Sequence, residues 1–141
     1  MRLKICLKLI LTIGLFYSCN EKLSAQELQK FKESAERGAI IYKDFCMVCH
    51  LPDGNGVSGV YPPLANSDYL KTKRAKSIKS IKYGLSGEIK VNGETYNSIM
   101  APLGLTDKEI ADVMNYITTS WGNKNTQMIT EAEVSKIQPK D

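Results

Sequence analysis

A chain of 141 residues is the size of one domain, and 43% hydrophobic residues give it enough apolar material for a core. Aromatic residues make up only 8%, too few for the stacking surfaces of a single-stranded nucleic-acid binder. Nor does the formal charge of +4 argue for nucleic acid: residues 1–18, read below as removable, carry three basic and no acidic side chains, so 16 basic remain against 15 acidic, net +1.

Residues 1–18 have the pattern of a targeting segment. Arg2, Lys4 and Lys8 give a basic start, and Leu9 to Tyr17 form an apolar run. That run is far shorter than the ~20 residues a membrane-spanning helix needs. Ser18-Cys19 ends it in the manner of a loose bacterial lipobox, so that Cys19 becomes the lipidated first residue of the mature chain. This reading expects a lipoprotein signal peptide and a protein held at the membrane surface on the periplasmic side. Phe16 and Tyr17 are bulkier than the usual pattern, and two alternatives stay open: cleavage near Ala25, giving a soluble periplasmic protein, or retention as an uncleaved anchor. Residues 19–32 are polar without a strong apolar period, which suits a tether, and leave a domain over 33–141.

A helix is expected next, because Ala35, Gly38, Ala39, Tyr42 and Phe45/Cys46 recur at three- and four-residue steps. Gly38 in mid-helix costs about 1 kcal/mol relative to alanine, a cost usually tolerated where another helix comes close. This helix runs into Cys46-Met47-Val48-Cys49-His50. Two thiols three positions apart can add across the two vinyl groups of one porphyrin, and the following histidine is placed to offer a nitrogen to the iron. A thioredoxin-like pair would want a strand before the motif and a helix after it. Structural zinc would want four Cys or His ligands, but the chain has one histidine, and Cys6 and Cys19 lie in or beside the targeting segment. The expected cofactor is therefore one haem c, covalent through Cys46 and Cys49, with His50 on the metal.

Pro52-Asp53-Gly54-Asn55-Gly56 and Tyr61-Pro62-Pro63-Leu64 mark a long irregular loop behind His50. A metal-bound histidine needs its second nitrogen hydrogen-bonded, and the Pro62 carbonyl is the candidate acceptor; the alternative is that these prolines only stiffen the turn. A basic helix is expected to start near Asp68, with Ile78, Ile81 and Leu85 as its apolar stripe. Lys71, Lys73, Arg74, Lys76, Lys79 and Lys82 form either a solvated face or a docking patch for an acidic redox partner. Asn92-Gly93 between Val91 and Glu94 is a hairpin signal. Thr106 to Glu109 reads as a capping box, with Leu105 and Ile110 as its staple. The helix it opens buries Ile110, Val113, Met114, Ile117 and Trp121, and Gly122 is its expected stop.

Taken together these segments resemble the class I cytochrome c family over nearly all of the chain after the tether. Gly38, Tyr42 and Cys46 are similar to the family's first helix, Val113 and Tyr116 to the positions of its last helix that cross it, and Pro62-x-Leu64 to its proline-x-leucine step. The segments Asn92-Gly93 to Met100-Ala101-Pro102 and Leu105 to Asn123 resemble cytochrome subunits of bacterial dehydrogenases, terminal oxidases and denitrification enzymes. Many relatives read Met-Pro where this chain has Met-Ala-Pro. The resemblance implies an all-α, class I cytochrome c fold: three to four short helices around one covalent haem, with a small hairpin before the loop carrying the methionine ligand.

Among five methionines, Met1 is in the targeting segment, Met47 between the cysteines, Met114 on the buried stripe and Met128 in the tail. Met100 alone lies in a loop able to bring sulfur across the distal face, and it is the expected sixth ligand beside His50, a pairing that raises the iron potential relative to bis-histidine. With both axial positions filled, the implied function is electron carriage, not catalysis: single electrons pass between respiratory or dehydrogenase partners in the cell envelope, by a chain monomeric outside any complex. The alternatives are a fixed cytochrome subunit of a larger oxidoreductase and a haem-based gas sensor, which needs an open sixth position.

Overall fold

The computed structural model describes residues 25–139. The targeting segment and Cys19 lie outside the described residues. Contacts divide the chain into two units, with the boundary between residues 32 and 33. In the first unit, residues 25–32, within the expected polar tether, are helical and largely exposed. The reason is local: Ala25, Gln26, Glu27, Leu28, Gln29 and Lys30 are all good helix formers, and a weak apolar period does not prevent a solvated helix.

The second unit opens on helix α1 (33–45), followed by a one-turn helix α2 (Met47–His50). Helices α3 (Asp68–Thr72) and α4 (Arg74–Tyr83) come next, then strands β1 (Ile89–Val91) and β2 (Glu94–Tyr96), α5 (Asp107–Ile117) and α6 (Glu131–Lys136). The family's helical architecture with a small hairpin is what the chain adopts. Asn92 (φ 50°) and Gly93 (φ 86°) both take left-handed conformations, which gives the hairpin the turn whose twist matches its strands.

The expected basic helix is two helices. Lys73 (φ −124°, ψ 42°) ends α3 and begins α4, and its amide donates to the Tyr69 carbonyl. Leu85 lies past the end of α4, which stops at Gly84. Two of the basic side chains are structural: Arg74 pairs with Glu133 at 2.6 Å and Lys82 with Asp107 at 2.8 Å, tying α4 to α6 and α5.

The capping box at Thr106 and Glu109 is formed in both directions. Helix α5 nevertheless ends at Ile117, four residues before Trp121. Hydroxyls explain the early stop: Thr118, Thr119 and Ser120 donate back to the carbonyls of Met114, Asn115 and Tyr116 at 2.6–2.7 Å, and Asn123 takes the Ile117 carbonyl at 2.7 Å. Trp121 (φ 49°) packs against Tyr42 with ring centres 4.8 Å apart and the planes tilted by 55°.

The core lies where α4, α5 and α6 meet, around buried Ile78, Ile110, Val113, Met114, Ile129 and Val134. α1 crosses α5 at Gly38. A β-carbon there would collide with the Asp112 carbonyl oxygen and come within 2.9 Å of Tyr116 Cβ, so only glycine permits this approach. Beside the crossing, Asp112 accepts from Ser34 at 2.5 Å and from Arg37 at 2.7 and 2.8 Å.

Candidate haem-binding site

α1 delivers Cys46 at its end, and the single turn of α2 presents Cys49 and His50. Leu51 then leaves the helix in a left-handed conformation (φ 63°), and the Tyr42 hydroxyl donates to its carbonyl at 2.5 Å, fixing the exit of the chain. The loop folds back: Gly56 N donates to the His50 carbonyl at 3.0 Å, and His50 Nδ1 lies 3.0 Å from the Pro62 carbonyl oxygen. That oxygen is an acceptor only, so Nδ1 carries the proton and Nε2 keeps its lone pair. Burial lowers the His50 pKa, outweighing the Pro62 carbonyl that works to raise it, so the imidazole is neutral and able to bind a metal at pH 7.

Met100 is pinned from the other side of the fold. Its amide and carbonyl exchange hydrogen bonds with those of Leu85 at 2.9 and 2.8 Å. Gly84 (φ 82°) allows this pairing, since a β-carbon there would sit 2.7 Å from the Met100 carbonyl oxygen. Sequence reasoning gives the methionine but not this bridge, because an isolated pair between two loops leaves no periodicity.

Cys46, His50, Pro62 and Met100 all line one cleft. One lobe is walled by apolar side chains of α4 and α5 such as Ile81, Val113, Met114 and Ile117. An adjoining lobe adds Cys49, Phe45, Ile99 and Ala101. No Asp, Glu, Lys or Arg lines either lobe among the described residues. The two thiols are free of disulfide. Burial first, and the neighbouring Cys49 second, push the Cys46 thiol up to about 11. Among the described residues there is no cluster of three His, Cys, Asp or Glu side chains able to hold a metal ion on its own.

The donor set fits a haem: two thiols for the vinyl groups, apolar walls for the macrocycle, an oriented imidazole, and a thioether on the same cleft. Comparison with known proteins agrees. The sequence pattern of the cytochrome c family matches residues 35–121. The chain belongs to the cytochrome c family. Cytochrome c-552 of Thermus thermophilus is 38% identical over 112 residues, covering 73% of this chain and 85% of that protein. The cytochrome c subunit of the quinone alcohol dehydrogenase of Gluconacetobacter polyoxogenes is 34% identical over 104 residues, 72% of this chain but 22% of that subunit. The gluconate 2-dehydrogenase cytochrome c subunit of Pantoea cypripedii is 30% identical over 112 residues, 75% of this chain and 25% of that subunit. This cytochrome c domain is thus an electron carrier and not itself an enzyme, with one haem c attached through Cys46 and Cys49.

Bound haem supplies a reversible one-electron couple at its iron. Cys46 and Cys49 would hold it by thioether bonds, and the apolar side chains of α4 and α5 that line the cleft would exclude water from the site.

Proposed function

We propose that His50 Nε2 and the Met100 sulfur are the two axial ligands. The domain then passes single electrons between redox partners of the cell envelope, tethered to the membrane surface through lipid on Cys19. The observation carrying this reading is that the neutral, oriented imidazole and the pinned methionine line the same cleft as both cysteines. Pro62 acts through His50, by holding its Nδ1 proton and so the orientation of the ring. Filling both axial positions leaves no place for a diatomic ligand, which separates a carrier from a gas sensor.

The test is made on haem-loaded protein. Acid-acetone leaves the pigment on the chain, and replacing both cysteines with alanine releases it. Oxidised protein shows the weak long-wavelength band of a thioether sulfur–iron bond. Met100→Ala removes that band and opens the reduced iron to carbon monoxide; persistence of the band would move the ligand to another methionine. For the tether, Cys19→Ser shifts the protein from sedimenting membranes to the soluble fraction or stops processing, and intact mass reads the lipid directly. A mature chain starting at Gln26 would mean a soluble exported protein.

The relatives support two settings. Cytochrome c-552 is matched over most of its length, which favours a mobile carrier. The dehydrogenase subunits are matched over about a quarter or less, which favours a fixed domain in a larger complex. Purification with or without a large partner separates the two.

A further inference from the structure

We infer that Trp121 is a second redox-active group, which takes up a one-electron oxidation arriving from solvent and is restored through Tyr42 by the reduced haem. The inference rests on the covalent haem reading above and adds an internal repair of radical damage to electron carriage. The chain has a single tryptophan. Its ring centre lies 4.8 Å from that of Tyr42 and 5.3 Å from that of Tyr116, and the two tyrosine rings are 5.5 Å apart. Such spacings are ordinary aromatic packing; what marks this cluster is where its two ends lead. One end reaches water. Trp121 and Tyr116 are half-buried, and neither the indole N–H nor the Tyr116 hydroxyl bonds to the protein among the described residues. No buried side-chain polar atom there lacks a partner, so both groups meet solvent.

The other end reaches the haem-binding motif. Tyr42 is buried; its carbonyl accepts from the Cys46 amide at 2.9 Å, and its hydroxyl donates to the carbonyl of Leu51, the residue bonded to His50. The rings differ in what they can do with a proton. An oxidised indole gives its N–H proton to water and is left as a neutral radical. The Tyr42 hydroxyl faces a carbonyl, which accepts a hydrogen bond but is no base, and burial raises its pKa above the usual phenol value. The oxidation therefore rests on Trp121, and Tyr42 is the contact through which the electron returns. In the first step Trp121 loses one electron to an oxidising radical and one proton to water. In the second it regains one electron from the reduced haem and one proton from water, and the haem is left oxidised for its ordinary donor to reduce.

Pulse radiolysis of the haem-loaded protein tests this, with azidyl radical as the oxidant because at neutral pH it takes an electron from indole in preference to phenol. The visible spectrum of each variant is recorded first, so that failure to load haem is told apart from failure of repair. In reduced protein the indolyl radical is expected to decay as the reduced haem is oxidised, in a first-order phase whose rate does not depend on protein concentration. Trp121→Phe keeps a ring in place and loses that phase. Tyr42→Leu removes the intervening ring and slows it. A second measurement needs no variant. After exposure to less oxidant than there is haem, peptide mapping by mass finds oxidation products of Trp121 in the oxidised protein and an intact Trp121 in the reduced one. Four results would overturn the inference: haem oxidation whose rate scales with protein concentration, a first-order phase that survives Trp121→Phe, an unchanged rate in Tyr42→Leu, or equal damage to Trp121 in both oxidation states.

Discussion

At the scale of single residues, the site depends on a loop that brings one carbonyl to one imidazole nitrogen. Gly56 is the hinge of that loop. It sits at φ 61°, and a β-carbon there would run into the Tyr61 carbonyl and lie 2.7 Å from the Pro62 carbonyl oxygen. Gly56→Ala is expected to cost about 1–2 kcal/mol for the left-handed conformation alone. It also pushes the Pro62 oxygen off His50. A histidine that loses this acceptor is less basic toward iron and stabilises the ferric state less, so the reduction potential rises. Spectroelectrochemical titration of the haem-loaded variant measures it, and an unchanged or lower potential would refute the role given to Pro62. Cys46, Cys49 and His50 are legible in the sequence because the chemistry they share demands near-adjacent positions along the chain. The pairing of Leu85 with Met100 beside Gly84 is not, because a bridge that spans the whole hairpin is fixed by the surrounding packing.

Among the helices, the decisive contact is where α1 crosses α5. Alanine is the better helix former by about 1 kcal/mol, so helix propensity by itself favours Gly38→Ala. The crossing reverses the sign: the new methyl group meets the Asp112 backbone, which has no rotamer with which to yield. The variant is expected to lose about 2 kcal/mol, the usual range for overpacking, seen as a lower denaturant midpoint of the haem-loaded protein. Equal or greater stability would mean the helices are free to separate. The glycine spaced before Tyr42 announces this crossing in sequence, and the capping box announces the start of α5. The end of α5 is hidden, since Trp121 continues the apolar spacing four residues after Ile117 while the hydroxyls of Thr118, Thr119 and Ser120 between them take up the carbonyls of the last turn. The break at Lys73 is equally silent, because lysine suits either a helix or its end.

Over the whole domain, one buried carboxylate joins parts of the chain far apart in sequence. Asp112 on α5 accepts hydrogen bonds from Ser34 and Arg37 of α1 and from Lys108. Ser34 in turn accepts from Asn115, whose side chain exchanges hydrogen bonds with the backbone of Ile129 in the C-terminal segment. The first helix, the last long helix and the tail are thus tied through one buried polar cluster. Burial works to raise the Asp112 pKa, but the hydrogen bonds from Arg37, Ser34 and Lys108 outweigh it and hold the carboxyl below its usual value. A group whose folded pKa is depressed gives its full stabilisation above the unfolded value and loses it as pH falls through the folded one. Asp112→Asn is therefore expected to cost about 2 kcal/mol near neutral pH, the scale of hydrogen bonds to a charged group. Once the pH falls below the depressed pKa of the folded protein, wild-type Asp112 is itself protonated and the two proteins converge. Urea unfolding of both haem-loaded proteins between neutral and strongly acid pH measures the gap. A gap that stays constant with pH would show that Asp112 acts through shape and neutral hydrogen bonds, and not through its charge.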